Sequence, residues 1–210
     1  MTMTIPISIH IVDDDASVRD SLGFILEGYG MTVNAFTDGE RFLAAVDASQ
    51  PGCVILDLRM PGLSGMQVHQ ALLARESVLG VIFLTGHGDV PQAVEALQRG
   101  ACHFLEKPVE SRSLLAAIEA AWLVSRQRLC EQQHRQRLAR LTARERQTFD
   151  LLCQGLKNQA VAERLHVSLR TVEVHRANIS RKLESASLLA FLSQRDTLQT
   201  AHDDDDHRER

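Results

Sequence analysis

The 210-residue sequence lacks features that define several classes of protein. No apolar run approaches the roughly 18 residues that a membrane-spanning helix needs. No basic segment precedes an apolar stretch near the amino terminus, so the pattern predicts no signal peptide. The four cysteines, Cys53, Cys102, Cys130 and Cys153, lie far apart and form no metal-binding pair. We therefore expect a cytoplasmic protein with reduced thiols and no membrane partner.

Length and charge indicate two domains with different tasks. A chain of 210 residues is long for one domain, and its 44% hydrophobic and 24% charged content is ordinary for a globular protein. Residues 1–121 carry 7 basic and 15 acidic side chains, whereas residues 122–195 carry 14 basic and 6 acidic ones. This partition favours a polyanion as the partner of the second domain.

Residues 1–121 alternate apolar runs with helical patterns five times. The predicted strands are Ile7 to Val12, Thr32 to Phe36, Cys53 to Asp57, Val81 to Thr85 and Cys102 to Leu105. The helical patterns that follow them are Ala16 to Glu27, Gly39 to Ala48, Ser64 to Ala74, Pro91 to Arg99, and Ser111 onward. Such alternation predicts an α/β, doubly wound, five-stranded parallel sheet with helices on both faces.

Polar side chains follow these apolar runs. Three aspartates at 13–15 follow the first run, Asp57 ends the third, Thr85 ends the fourth, and Lys107 comes just after the fifth. Because the carboxyl ends of parallel strands meet at one edge, these groups are expected to lie together. Carboxylates about 4 Å apart repel by roughly 4 kcal/mol at an effective dielectric near 20, so such a cluster requires a cation.

The chemistry of this cluster suits phosphoryl transfer. All-oxygen ligands with few protein groups favour Mg2+. Asp57 can attack an activated phosphoryl group as a nucleophile, while Thr85 and Lys107 can contact the phosphoryl oxygens. Taken singly, each residue has a simpler interpretation: a solvated turn with Asp15 as a helix cap, a strand-end hydroxyl, and a surface lysine. Their joint occurrence at separate strand ends favours the functional interpretation.

Four ordered segments resemble a known family. Val-Asp-Asp, Asp-Leu-Arg-Met-Pro-Gly-Leu-Ser-Gly, Leu-Thr-Gly-His-Gly-Asp-Val-Pro and Glu-Lys-Pro occur in this order. Residues 1–121 thus resemble the receiver domain of two-component response regulators, particularly of the FixJ type. The resemblance implies that Asp57 accepts phosphate from a sensor histidine kinase. It also implies a magnesium site made by Asp13, Asp14, Asp57 and the backbone carbonyl of Arg59.

The same resemblance assigns the parts of a switch. Thr85 becomes the switch hydroxyl, Lys107 the phosphate-pairing cation, and Phe104 the aromatic ring that turns inward on phosphorylation. A plain core phenylalanine is the alternative interpretation of Phe104. Lys107 and Pro108 are a candidate cis pair, and Val109 departs from the phenylalanine common in FixJ-like chains.

The stretch from Ser111 to Arg140 contains neither glycine nor proline. It predicts the last receiver helix running into a helical linker at 122–140. Ser125 interrupts its apolar stripe. A solvated face is predicted for arginines 126, 128, 135, 137 and 140, and contact with DNA is the alternative.

Residues 141–195 predict a small all-α domain. Thr142 and Glu145 have capping-box spacing, Asn158 and Ser168 are predicted helix caps, and the short turn between the last two helices predicts a helix-turn-helix. The segments Leu-Thr-Ala-Arg-Glu-Arg, Gly-Leu-Lys-Asn-Gln-Ala-Val-Ala and Arg-Thr-Val-Glu-Val-His-Arg-Ala-Asn-Ile resemble the LuxR/FixJ-type DNA-binding domain.

This second resemblance implies particular contacts with DNA. Glu173, Val174, Arg176 and Ala177 would face base edges, and Thr171, His175 and Lys182 would face phosphates. A following helix, with Leu188 and Leu189, would form a dimer contact. Gln159 departs from the lysine of many relatives, and Ala177 from the base-reading lysine of some. Residues 196–210, with Asp203 to Asp206, are predicted to be a disordered acidic tail.

The two resemblances together imply a response regulator that regulates transcription, with activation as the expected direction, and with no enzymatic activity beyond its own phosphotransfer and dephosphorylation. Val94 and Gln98 are predicted to form a phosphorylation-dependent homodimer face, and promoter DNA and RNA polymerase are expected partners. One alternative is an interaction switch that does not bind specific DNA. Another is an aspartyl phosphatase, but its commonest motif needs an acid where Arg59 stands.

Overall fold

The computed structural model describes residues 7–86 and 96–184. Its contacts divide the chain into two compact units, Met1–Leu129 and Cys130–Arg210. The division falls within the predicted linker, and the domain limits 1–121, 122–140 and 141–195 stay predictions. The predicted dimer residues Val94, Leu188 and Leu189 and the acidic tail at 196–210 lie outside the described residues.

The first unit contains one five-stranded parallel sheet with strand order β2-β1-β3-β4-β5. Its strands are β1 (Ser8–Val12), β2 (Thr32–Phe36), β3 (Gly52–Asp57), β4 (Gly80–Thr85) and β5 (His103–Glu106). The helices of this unit are α1 (Ala16–Gly28), α2 (Gly39–Ala45), α3 (Gly65–Ala74) and the start of α4 (Ser111–Ala139), and residues 96–98 are also helical. The predicted doubly wound fold is confirmed, and each strand end lies within one residue of its predicted position.

The period of two along each strand sends alternate side chains to opposite faces of the sheet. On one face Ile9, Ile55 and Leu84 pack with Leu26 of α1 and Ile118 of α4. On the other face a second cluster joins strand residues to α2 and α3; it includes Val12, Leu56, Phe83, Phe42 and Val68. Because both faces are covered, the central strands β3 and β4 are buried along their whole length.

Helix α4 is held to the sheet by polar as well as apolar contacts. The hydroxyl of Ser125 is fully buried and accepts a hydrogen bond from the Gly52 amide at 3.0 Å. The Arg128 guanidinium donates to the carbonyls of Leu79 at 2.9 Å and Gly100 at 2.8 Å. The prediction of a solvated arginine face is therefore wrong at Arg128, because that side chain satisfies two backbone acceptors at the end of the sheet. None of the described helices combines the length and the apolar character needed to cross a membrane.

The second unit contains the end of α4 and three more helices, α5 (Ala143–Cys153), α6 (Asn158–Leu165) and α7 (Leu169–Leu183). Phe149, Ile179 and Leu183 form one small core with Leu138 and Leu141. A second cluster, in which Val161 and Val172 are fully buried, joins α6 to α7.

Local chemistry fixes most helix starts in both units. Asp15 caps α1, Thr142 forms a capping box with Glu145, and Ser168 caps α7, all as predicted. The predicted cap at Asn158 is wrong. Lys157 is the cap residue there, with no side-chain hydrogen bond, because Asn158 lies inside the first turn.

The close approach of α4 to β4 gives a stability prediction. A Cβ atom at Gly80 would lie 2.2 Å from the Ala121 backbone carbonyl, whereas one at Gly23, inside α1, would meet nothing within 4 Å. Gly80→Ala should therefore lower the free energy of unfolding by about 3 kcal/mol. Gly23→Ala, the matched control, should raise it by about 0.5 to 1 kcal/mol, because alanine favours a helix interior.

Urea unfolding of both variants can be followed by fluorescence, since the single tryptophan, Trp122, packs against the core of the first unit. Equal stability of the two variants would contradict this packing.

Candidate functional site

Three carboxylates meet at the carboxyl edge of the sheet, where β1 and β3 lie side by side. One oxygen of each of Asp13, Asp14 and Asp57 lies within 4.8 Å of the others. Asp13 is fully buried and Asp57 nearly so, while Asp14 is exposed. Asp13 and Asp14 follow β1 directly and Asp57 ends β3, so the parallel pairing of these strands brings the three together.

Lys107 is the cation of this cluster. Its Nζ atom lies 2.7 Å from Asp13 Oδ2 and 2.6 Å from Asp57 Oδ1. The Lys107 backbone amide donates to the Thr85 carbonyl at 2.9 Å, and the peptide between Lys107 and Pro108 is cis, as predicted. The lysine predicted from the end of β5 thus reaches the two buried acids.

Backbone amides also donate hydrogen bonds to two of the carboxylates. The Arg59 amide donates to Asp57 Oδ2 at 3.0 Å, and the Asp15 amide donates to Asp13 Oδ1 at 2.9 Å. Gly65 permits the loop after β3 to fold closely under Asp57, because a Cβ atom there would lie 2.2 Å from the Asp57 carbonyl oxygen. The segment after Asp57 therefore shapes the site.

Burial raises the pKa of Asp57 above its usual value, and the hydrogen bond from Lys107 offsets only part of that rise. Burial also acts to lower the pKa of Lys107. The hydrogen bonds to Asp13 and Asp57 outweigh it and raise that pKa above its usual value. The Lys107 ammonium is thus kept charged at neutral pH, whereas burial of the negative charge of Asp57 raises the free energy of the folded state.

The donor set fits a hard divalent cation. Three carboxylates face one ammonium, which leaves two formal negative charges unbalanced. Only oxygen ligands are present in the cluster, and Asp14 provides an exposed side through which water and a phosphoryl oxygen can approach. Mg2+ prefers this combination of a few carboxylates and open positions.

The two predicted switch residues lie on the neighbouring strands β4 and β5. Thr85 is buried, and its hydroxyl donates to the Leu105 carbonyl at 3.3 Å. Phe104, on β5, is 37% exposed, so its ring is not packed in the core. The core-phenylalanine interpretation is therefore wrong, and the predicted inward turn of this ring stays a prediction. Gln98, of the predicted dimer face, is exposed.

Helix α7 presents one exposed face in the second unit. Val172, Ile179 and Leu183 are buried, so the opposite side of the helix is free of the core. The predicted base-facing residues lie on that exposed side: Glu173, Val174, Arg176 and Ala177. Thr171 and His175 are half-buried beside them.

Three predicted DNA residues have side-chain partners within the unit, and the first is Thr171, whose hydroxyl lies 2.8 Å from that of Ser168. The Arg176 guanidinium donates to Asn158 Oδ1 at 2.6 Å, and Lys182 Nζ lies 2.6 Å from Oε2 of the buried Glu145. Glu145 also accepts from the Thr142 amide at 2.8 Å. Lys182 thus joins α7 to the start of α5, and its predicted phosphate contact stays a prediction.

Sequence reasoning missed two residues around these sites. It assigned Glu145 to a capping box without its pairing to Lys182, 37 residues away. It also passed over Arg19, which donates to the Asp13 carbonyl at 2.7 Å. A basic residue near the start of a helix was the available signal, since the helix dipole disfavours a cation there.

A doubly wound sheet with an acidic cluster, a lysine and a threonine at its carboxyl edge, followed by a helix-turn-helix unit, defines a phosphorylation-controlled DNA-binding regulator. Residues 9–119 match the family described as response regulator receiver domain, and residues 139–192 match the bacterial regulatory proteins of the luxR family. The chain belongs to the response regulators that combine these two domains and regulate transcription.

Several known proteins are similar over most of the chain. The tetrathionate response regulatory protein TtrR of Salmonella typhimurium is 44% identical over 185 residues, covering 88% of this chain and 90% of TtrR. The transcriptional regulatory protein FixJ of Azorhizobium caulinodans is 44% identical over 184 residues, covering 86% and 87%.

Solved structures of response regulators are also similar to this chain over most of its length. The response regulator StyR has a TM-score of 0.69 at 37% identity, covering 91% of this chain and 99% of StyR. Full-length FixJ from B. japonicum has a TM-score of 0.55 at 40% identity, covering 92% and 97%.

The pairing of Lys182 with Glu145 gives a prediction with a defined pH dependence. The hydrogen bond from Lys182 is the main reason that the pKa of Glu145 lies below its usual value. The pair therefore stabilises the folded unit at pH values above 4.5, which is the pKa of Glu145 in the unfolded chain. This contribution is lost as the pH falls through the lower pKa that Glu145 has in the folded chain. At pH 7, Lys182→Met should cost about 2 kcal/mol, because it leaves a buried carboxylate without its cation.

Hydrogen exchange of residues 143–153 and 169–183 measures this cost between pH 7 and pH 3. The control is Arg181→Met, on the neighbouring exposed side chain. Equal losses for both variants, or a Lys182→Met loss that does not shrink toward pH 3, would contradict the ion pair.

Proposed function

We propose that Asp57 accepts a phosphoryl group from a sensor histidine kinase, and that the phosphorylated chain binds promoter DNA as a homodimer and activates transcription. The observation that carries this proposal is the position of Asp57. Its carboxylate ends β3 with Lys107 Nζ at 2.6 Å and with oxygens of Asp13 and Asp14 within 4.8 Å. A nucleophile, a cation and a ligand set are thus present in one place.

The transfer step follows from these contacts. A carboxylate oxygen of Asp57 attacks the phosphorus of the kinase phosphohistidine, the P–N bond breaks, and the imidazole leaves with the electron pair and takes up a proton. Lys107 then pairs with a phosphoryl oxygen and Thr85 donates to another. This reaction is the chain's own part in its phosphorylation; we expect the same site to catalyse its dephosphorylation by water.

Asp13, Asp14, Asp57 and the Arg59 carbonyl are the proposed ligands of Mg2+. When bound, Mg2+ would neutralise the carboxylates and lower the repulsion between Asp57 and the incoming phosphoryl oxygens. The excess of negative charge in the cluster supports this assignment.

We propose a population shift as the link to the second unit. Phosphorylation draws Thr85 away from the Leu105 carbonyl and turns the exposed Phe104 inward. The surface with Val94 and Gln98 then becomes the dimer face, and Leu188 and Leu189 add a second contact. Pairing of two chains doubles the number of DNA contacts.

The exposed face of α7 is the proposed DNA reader. Glu173, Val174 and Arg176 would contact base edges in the major groove, and Thr171, His175 and Lys182 would contact phosphates. Activation implies contact with RNA polymerase at the promoter, which places the proposed action in the cytoplasm.

The phosphorylation site can be tested without the kinase. Acetyl phosphate with Mg2+ should produce a retarded band in phosphate-affinity electrophoresis, and the band should fail to form in Asp57→Ala and in wild type when EDTA is present from the start of the reaction. Asp47→Ala, at an exposed acid outside the cluster, is the control and should behave as wild type. A retarded band that survives Asp57→Ala would refute the assignment.

The same phosphorylated sample can be tested for DNA binding by fluorescence anisotropy on a duplex from its own promoter region. Affinity should rise on phosphorylation and fall steeply with salt, because phosphate contacts release counterions. Arg176→Ala should weaken binding to this duplex by roughly tenfold or more, with little effect on a random-sequence duplex. Arg112→Ala, at an exposed arginine of the first unit, is the control. Binding that is absent or insensitive to salt would favour an interaction switch that does not bind DNA.

A further inference from the structure

Arg19 connects helix α1 to the loop that carries two of the carboxylates. It is the fourth residue of α1 and is half-buried, and its Nη1 atom donates to the Asp13 carbonyl at 2.7 Å. Side chains of a helix lean toward its amino terminus, so a long side chain at this position reaches back over the cap residue Asp15. The contact follows from the geometry of the helix start.

Helix stability does not explain an arginine at this position. The positive end of the helix dipole lies at the amino terminus and disfavours a cation there. The first turn of α1 contains no acidic residue, and the carboxylate of the cap residue Asp15 accepts from the Ser17 amide rather than from Arg19. The hydrogen bond that the structure gives the Arg19 side chain is instead to the loop before the helix, at the Asp13 carbonyl.

Asp14 is the carboxylate that this loop holds least firmly. The side chain of Asp13 accepts from the Asp15 amide and from Lys107, and that of Asp57 accepts from Lys107 and the Arg59 amide. Asp14 is exposed, and within residues 7–86 and 96–184 no hydrogen bond to its carboxylate is formed. Its position therefore depends on the backbone of the loop.

The Asp13 carbonyl belongs to the peptide that joins Asp13 to Asp14. We propose that Arg19 is a positioning residue of the metal site. By holding this peptide it keeps an Asp14 oxygen within reach of Asp13 and Asp57. The inference rests on the proposed magnesium site and extends it to a residue that touches neither the metal nor the phosphoryl group.

Removal of Arg19 should change the affinity for a cation in opposite directions, depending on whether its charge or its positioning role matters more. Arg19 brings a positive charge close to a cation site, so removing that charge should by itself tighten cation binding. Loss of positioning should instead weaken it by about tenfold, the usual effect of losing an outer contact that orients metal ligands. The two effects can be told apart by the direction of the change.

Mn2+ is a suitable probe, because free Mn2+ can be measured by electron paramagnetic resonance during titration of the full chain. Arg19→Met, which keeps the length of the side chain, should raise the Kd for Mn2+ about tenfold. Arg19→Lys retains a donor and should recover part of the loss. Arg41→Met, at an exposed arginine near the start of α2, should leave the Kd within about twofold, since a solvated charge is screened by salt.

A second readout separates positioning from general damage. The rate of phosphorylation by acetyl phosphate should need more Mg2+ for half-saturation in Arg19→Met, with the rate at saturating Mg2+ unchanged. A variant that is merely misfolded would lose the saturated rate as well.

Mn2+ binding in Arg19→Met that is unchanged or tighter, combined with lost binding in Asp57→Asn, would overturn the role of Arg19 and leave the metal site standing. A lower saturated rate with unchanged half-saturation would also overturn it. Full Mn2+ binding in Asp57→Asn would overturn the site, and the role of Arg19 with it.

Discussion

The repulsion among three carboxylates at one edge of the sheet is the constraint on which the rest of the structure depends. Asp13, Asp14 and Asp57 lie within 4.8 Å of one another, and Lys107 supplies one positive charge against them. Burial makes the negative charge of Asp57 costly and raises its pKa. A site of this kind gains from binding a divalent cation, and this gain is the basis of the phosphorylation that we propose for Asp57.

The fold supplies the positions that this chemistry requires. Parallel pairing of β1, β3 and β4 brings the strand ends together, and the amide of Lys107 is bonded to the carbonyl of Thr85. Helix α4 contributes Ile118 to the core of the first unit, and Leu138 near its end packs in the core of the second. Residues of the same helix therefore pack in the cores of both units. Its first part also contacts the sheet region through Ser125 and Arg128.

The sequence predicts best those features that depend on local pattern. Apolar runs bounded by turns give the five strands to within one residue, and Asp15, Thr142 and Ser168 are recognised as caps from their neighbours alone. The acidic cluster is also predictable, because a parallel sheet gathers the ends of its strands at one edge.

Features made by distant pairs are not visible in the local pattern. Ser125 interrupts an apolar stripe, yet it is buried because it pairs with Gly52, 73 residues away. Asparagine is a residue type that often caps helices, but the Asn158 side chain accepts a hydrogen bond from Arg176, 18 residues away. Arg128 likewise finds its two carbonyl partners through the tertiary fold.

The measurement that tests the central claim most directly is the stability of Asp57→Asn relative to wild type, followed by Trp122 fluorescence in EDTA and in rising Mg2+. Because burial raises the folded pKa of Asp57, its ionised form opposes folding at neutral pH, and the neutral amide should stabilise the first unit in EDTA. Added Mg2+ should stabilise wild type more than the variant and so close this gap. A variant that is less stable than wild type in EDTA, or a gap that Mg2+ does not change, would contradict the account.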